Sequence, residues 1–163
     1  MEEIIDKIPQ LENRIYVIGG PREQALDEAL TLILHLTDKH YLTTEYYCLK
    51  NTEEEIKSKF EKIAAATGLG KGCRAFFRTQ KNGDVLLINR NIKASYSRRF
   101  VRLVFIDSIE SIHLKGKEPN REEVLKALTK KNPIIIVSDL LAPSDGITTH
   151  LDSNGVMLSF TKV

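Results

Sequence analysis

The chain has 163 residues, enough for one domain with a single hydrophobic core. Its composition, 42% hydrophobic and 28% charged, is that of an ordinary globular protein. No apolar run reaches the roughly 20 residues of a membrane span, and the acidic start MEEIIDKIPQLENR lacks a signal-peptide pattern, so we expect a cytoplasmic protein. Cys48, Cys73 and the four histidines have no metal-ligand spacing, which predicts buried free thiols and no metal site.

The formal net charge of +2 conceals a local imbalance. Residues 71–102 contain nine Lys or Arg and one acid, Asp84, so this segment carries +8 and the remainder −6. A concentration of like charge of this kind indicates an anionic partner. The frequent Ile, Lys and Glu with few Gln resemble the composition of archaeal and thermophile proteins.

Strands and helices alternate in the first half of the chain. The β-branched run RIYVIGG (14–20) predicts a buried strand, and Pro21 suits the first turn of the helix after it. TTEYYCL (43–49) predicts the next strand. Thr52, with Glu three residues later, forms a capping box that opens a second helix, which Gly68 ends. The apolar face of the first helix is formed by Leu26, Leu30, Ile33 and Leu34, and that of the second by Ile56, Phe60 and Ile63.

The second half of the chain continues the alternation. Asn82-Gly83 between two β-rich runs is a strong hairpin signal. The other predictions are, in chain order, a strand at 101–107, a helix at about 120–131 with Val124, Leu125 and Leu128 inward, a strand at 133–141, a polar loop at 142–154 and a closing strand at 155–163. Apolar strands that alternate with amphipathic helices predict a mostly parallel sheet flanked by helices. We therefore expect one α/β domain over residues 1–163, with a β-hairpin.

Five segments in this order resemble the RecA and KaiC-like ATPases, over about residues 14 to 160. YVIGGPREQAL stands where those proteins have the Walker A loop, and VRLVFIDSIESI has the form of their Walker B strand, with Asp107 at its end. The other three are NTEEEIKSKFEKIAAATGLG, GDVLLINRN, which is similar to the family's third strand, and PIIIVSDLLAPSDGITTHLDSNGVMLSF. The resemblance implies a minimal RecA-like, P-loop-type core and a tendency to form homo- or hetero-oligomers.

The chain departs from the family at the nucleotide site. Against GxxxxGK[ST], Gly19 is the first glycine, but Gln24, Ala25 and Leu26 replace the second glycine, the lysine and the hydroxyl residue. The family's catalytic glutamate falls at 49–51, where this chain has Leu, Lys and Asn. We therefore predict no ATP hydrolysis, no catalytic residues and no cofactor. The degenerate nucleotide site comprises Gly19, Gly20, Arg22, Gln24, Ala25, Leu26 and Asp107.

The acidic residues favour structural roles. Asp107, followed by Ser108, is interpreted as a turn or helix-capping group rather than as a metal ligand. Glu45 and the run 53–55 are interpreted as solvated or capping charges. Arg22 could meet an anion at a helix N-terminus, although Glu23 beside it opposes that. Leu26 would present an apolar branch toward a bound ion.

The basic segment also contains Phe76, Phe77, Tyr96 and Phe100. Cations pair with phosphates and aromatic rings stack on bases, which are the requirements of single-strand binding. We interpret the phenylalanines as core residues and assign the rest to nucleic acid. The predicted nucleic-acid-binding residues are Lys71, Arg74, Arg78, Lys81, Arg90, Lys93, Tyr96, Arg98 and Arg99. RecA-family relatives place DNA-contacting loops before their last strands, but here LLAPSDGITTHLDSN has no Lys or Arg.

Three functional hypotheses follow. The favoured one is a non-catalytic RecA-like accessory protein, or recombinase paralogue, that binds nucleic acid, DNA rather than RNA, or a RecA-family partner in recombination or repair. The second is a KaiC-like pseudo-ATPase that serves as a protein-interaction scaffold and reserves its positive surface for an acidic partner. The third, and the least favoured, is a residual nucleotidase that uses Arg22 and Asp107.

Overall fold

The computed structural model describes residues 15–19, 21–70, 74–116, 121–128, 133–138, 149–151 and 157–160. Their helices and strands are, in chain order, β1 (Ile15–Gly19), α1 (Arg22–His40), β2 (Thr44–Cys48), α2 (Glu53–Thr67), β3 (Ala75–Thr79), α3 (Val85–Arg99), β4 (Leu103–Asp107), a 3-10 helix (Ile109–Ser111), α4 (Arg121–Ala127), β5 (Ile134–Ser138), β6 (Thr149–Leu151) and β7 (Met157–Phe160).

The strands form one sheet in the order β3-β2-β4-β5-β1-β7-β6. The first five are parallel to their neighbours, whereas β7 runs antiparallel to β1 and β6 antiparallel to β7. The predicted α/β fold with a mostly parallel sheet is therefore confirmed. Because the strands are parallel, β1, β2 and β4 end at the same edge of the sheet, which we call the carboxyl edge.

Helices cover both faces of the sheet, which explains why its central strands are apolar on both sides. Side chains alternate along a strand, so Leu103 and Phe105 of β4 pack with α1 and α2, while Val104 and Ile106 pack with α3 and α4. On one face the ring of Tyr46 stacks on Phe105 with centroids 6.0 Å apart. No helix among the described residues has both the length and the apolar character that crossing a lipid bilayer requires.

The predicted signals at the ends of α2 are largely confirmed. Thr52 Oγ1 accepts a hydrogen bond from the Glu55 backbone N–H at 3.3 Å, and Gly68 ends the helix with a φ of 71°. The Glu55 carboxylate, however, accepts from Asn51 Nδ2 at 2.9 Å. It belongs to the contacts at the carboxyl edge.

The predicted hairpin at Asn82-Gly83 is wrong, and so is the strand predicted for GDVLLINRN. Asn82 Oδ1 accepts from the Asp84 N–H at 2.9 Å, and Asp84 Oδ1 accepts from the Leu86 N–H at 2.8 Å, so Asp84 caps helix α3. The helix buries Val85, Ile88, Ile92 and Ser95 at helical spacing. Local turn chemistry suggested a hairpin, but packing of this apolar face against the sheet favours a helix.

Smaller differences occur near the end of the chain. Helix α4 ends at Ala127, earlier than the predicted 131. Strand β6 lies inside the segment 142–154 that was predicted to be a loop, because residues 149–151 pair with β7. Residues 139–148 and 152–156 lie outside the described residues, as does Cys73, whereas Cys48 is a buried free thiol as predicted.

Candidate functional site

An ion pair lies at the carboxyl edge, between the start of α1 and the end of β4. Asp107 is the last residue of β4 and is fully buried, and Arg22 is the first residue of α1. Arg22 Nη1 donates to Asp107 Oδ1, and Nη2 donates to Oδ2 at 2.7 Å. The guanidinium therefore grips the carboxylate with both of its terminal nitrogens, the strongest geometry available to this pair.

Two more side chains complete the contact. Tyr46 of β2 donates its hydroxyl to Asp107 Oδ2 at 2.8 Å, and Arg22 Nη2 also donates to Asn51 Oδ1 at 2.5 Å. Burial, and then the negative charge of Asp107, raise the pKa of Tyr46 well above its usual range, so this hydroxyl keeps its proton. We call Arg22, Tyr46, Asn51 and Asp107 the Arg22 network.

The Arg22 network joins four elements of the fold. The main-chain oxygen of Asp107 accepts from the backbone N–H groups of Leu49 and Lys50, at 2.7 and 3.2 Å, which fixes the segment after β2 against β4. Asn51 passes the contact on to Glu55 in the first turn of α2. The interpretation of Asp107 as a capping group is wrong, because its carboxylate binds Arg22 and Tyr46; its structural role is as predicted.

Glu45 differs from its prediction as a solvated charge. Its side chain is buried on β2, and Arg78 Nη1 of the neighbouring strand β3 lies 3.5 Å from its Oε1. Burial and the nearby Glu45 carboxylate raise the pKa of Tyr47 on the same face of the sheet. Arg78 is therefore partly committed to an internal partner. The Glu53 carboxylate accepts from the Thr79 N–H, which joins α2 to β3.

The opposite edge of the sheet carries a cluster of exposed aromatic and arginine side chains. Phe76, Tyr96 and Phe100 are 39, 40 and 66% exposed. The guanidinium carbon of Arg99 lies 4.9 Å from the centre of the Phe76 ring, and that of Arg102 lies 4.6 Å from Tyr96 and 5.6 Å from Phe100. We call these five residues the arginine–aromatic patch.

The predictions about the phenylalanines were only partly right. Phe77 is half-buried against the core, as predicted, and its ring centroid lies 5.0 Å from that of Phe60. Phe76 and Phe100 are exposed, so their assignment to the core is wrong. Phe76 points to the outer side of an edge strand, and Phe100 follows the last turn of α3, where the chain leaves the sheet.

The structure separates the predicted basic residues into several groups. Arg99 belongs to the arginine–aromatic patch, and Arg98 precedes it in the last turn of α3. Arg102 and the two phenylalanines were missed, although Arg102 belongs to the same basic segment. The remaining predicted cations are spread over the outer side of α3, the strand β3 and the turn after it, and these are Arg74, Arg78, Lys81, Arg90 and Lys93. Lys71 lies outside the described residues.

No protein-family model and no curated protein matches the chain. Among solved structures 132 chains match it, and one of them is the ATPase domain of a RecA-like helicase. The two superpose with a TM-score of 0.61 at 15% identity, over 85% of this chain and 62% of that one. The fold is that of a RecA-like ATPase domain. This RecA-like domain spans less than two thirds of the length of the chain it matches.

The residues at the nucleotide position of this RecA-like domain do not fit magnesium and a triphosphate. Ala25 and Leu26 are buried in the core beneath α1, so Leu26 does not face an ion as expected. Gln24 is exposed, Gly19 is buried at the end of β1, and Gly20 lies outside the described residues. Asp107 is already bound by Arg22. In the part of the chain that the structure describes, no three His, Cys, Asp or Glu side chains gather as a metal site requires.

Cys48 should be inert in the folded RecA-like domain. Burial, and then the charges of Asp107 and Glu53, raise the pKa of its thiol to about 12. We expect no reaction with a thiol reagent at pH 8 until urea unfolds a Cys73→Ser variant. Stability should be unaffected below pH 9 and fall between pH 9 and 12, because the unfolded thiol releases a proton that the folded one retains. Rapid labelling of the native variant would contradict this.

Proposed function

We propose that this RecA-like domain binds single-stranded nucleic acid, DNA in preference to RNA, through the arginine–aromatic patch, without hydrolysing ATP. It acts as an accessory protein or recombinase paralogue in recombination or repair. The observation that carries the proposal is the exposure of three aromatic rings among arginines. Aromatic faces stack on unpaired bases, and arginines bind the phosphates between them.

The backbone at Phe100 supports a role for its side chain. Phe100 ends α3 with a φ of 54°, in the left-handed region that favours glycine and is rare for a bulky residue. Phenylalanine there costs about 1 kcal/mol relative to an unstrained residue, and its ring is 66% exposed, so packing offsets little of that cost. A ring that contacts a ligand explains why the chain has phenylalanine at this position.

The charge distribution supports an anionic ligand. Arg98, Arg99 and Arg102 are exposed at the end of α3 and just after it, within a segment that carries a single acid. Their contacts provide affinity for any phosphate backbone, and no arrangement for reading bases accompanies them. Binding should therefore depend strongly on salt and weakly on sequence.

A mobility-shift titration with a single-stranded DNA oligonucleotide tests the proposal. Replacing both Arg98 and Arg99 by Glu should abolish the shift at moderate salt. It should also lower the slope of log affinity against log salt by about 1.4, or ~0.7 for each lost phosphate contact. Replacing Lys57 and Lys62 of α2 by Glu changes the net charge equally on another helix, and this control should retain most of the affinity.

The variant Phe100→Gly separates stacking from charge. It should weaken single-strand binding about 5- to 150-fold, since stacking on one ring is worth about 1–3 kcal/mol, and leave duplex binding nearly unchanged. It should not destabilise the fold, because glycine suits the left-handed conformation. If wild-type protein retains no nucleic acid at moderate salt, the proposal is wrong, and the scaffold hypothesis with an acidic protein partner replaces it.

A further inference from the structure

We infer that the Arg22 side chain is a built-in substitute for the nucleotide of this domain. It supplies to Asp107, from within the chain, the positive charge that a Walker lysine and magnesium ion supply in working ATPases. The domain is thereby held in one state that needs no nucleotide. This inference deepens the non-hydrolysing part of the proposed function and is independent of nucleic-acid binding.

The burial of Asp107 is the first step of the argument. A carboxylate with no solvent exposure must have a compensating charge and hydrogen bonds, because leaving it alone would cost several kcal/mol. Arg22 provides the charge and two hydrogen bonds, and Tyr46 provides a third. The acceptor groups of Asp107 are thus engaged without any ligand.

The position of Arg22 is the second step. It begins α1 directly after the β1 turn, and its guanidinium reaches β4 and the segment after β2. A phosphate group placed here would have to displace the guanidinium and would bring negative charge toward Asp107. Nucleotide binding would therefore break the strongest contacts at this edge and add repulsion.

The reach of the Arg22 network is the third step. Through Asn51 and Glu55 it extends from the β1–α1 junction to the start of α2. One side chain thus joins the elements that a bound ligand would otherwise have to bring together. The order of this edge does not depend on whether ATP is present.

Thermal unfolding with chemical rescue tests the inference. Mg-ATP should leave the melting temperature of the wild type unchanged. Arg22→Ala should lower it by roughly 10 °C, as expected for a broken buried pair in a domain of this size. Millimolar guanidinium, which restores the missing cation, should recover part of that loss. Urea at the same concentration has a similar shape without the charge and should recover none.

Two further variants guard against ambiguous outcomes. Arg22→Lys keeps the charge without the two-pronged geometry, and should melt between the wild type and Arg22→Ala. In the double variant Arg22→Ala/Asp107→Ala, guanidinium should have no stabilising effect. A rise in the wild-type melting temperature with Mg-ATP, or an Arg22→Ala protein as stable as wild type, would overturn the inference. Neither result depends on whether the protein binds DNA.

Discussion

Asp107→Ala should be among the most destabilising single changes in this chain and lower the free energy of unfolding by about 3–5 kcal/mol. The substitution leaves the guanidinium of Arg22, which is only 20% exposed, without its carboxylate. It also removes the acceptor of the buried Tyr46 hydroxyl. Urea unfolding followed by circular dichroism measures the effect directly.

The variant Asp107→Asn provides the matched control. Asparagine has nearly the same shape and still accepts a hydrogen bond from Tyr46, but it carries no charge, so its cost isolates the ionic part of the pair. A double-mutant cycle with Arg22→Ala should give a coupling energy of about 1–3 kcal/mol. Additive effects of the two substitutions would mean that Arg22 and Asp107 do not stabilise each other.

Gly83→Ala should destabilise the fold by about 3 kcal/mol or more, which is the upper range for overpacking. A β-carbon at position 83 would lie 1.9 Å from the main-chain oxygen of Ser111, far inside any allowed contact. The backbone cannot move aside easily, because Gly83 O accepts from the His113 N–H at 2.9 Å, and the Val85 N–H donates to His113 O at 3.0 Å. Thermal unfolding measures the loss.

Gly68→Ala is the appropriate control for that experiment. Gly68 has a φ of 71° and nothing within 4 Å of the added carbon, so alanine there meets only backbone strain, worth about 1 kcal/mol. We expect Gly83→Ala to melt well below Gly68→Ala. Equal melting temperatures would show that the turn at 83 relaxes away from Ser111.

The order of most helices and strands could be predicted because their periodicities are local. Strands such as 103–107 are apolar throughout, and α1 repeats its leucines at helical spacing. The segment after Gly83 failed because Asn-Gly is a local hairpin signal, whereas the glycine is required by a tertiary contact with Ser111. A single sequence does not display that kind of constraint.

The two candidate sites differ in how far the sequence reveals them. Arg22 and Asp107 are 85 residues apart, and only the pairing of β4, β5 and β1 brings them together. Their placement at a helix start and a strand end did put both at the carboxyl edge, so a pair could have been proposed. The exposure of Phe76 and Phe100 had no such signal, because an apolar ring in a strand-like run suggests burial.

The position of β3 constrains how copies of this chain could associate. Strand β3 lies at one end of the sheet and pairs with β2. It is only five residues long, and the exposed cations Arg74 and Arg78 stand at its start and within it. Short, charged margins of this kind resist strand-to-strand joining between molecules, since identical positive rows repel. A continuous intermolecular sheet built through this margin is therefore disfavoured, and any self-assembly would have to use another surface.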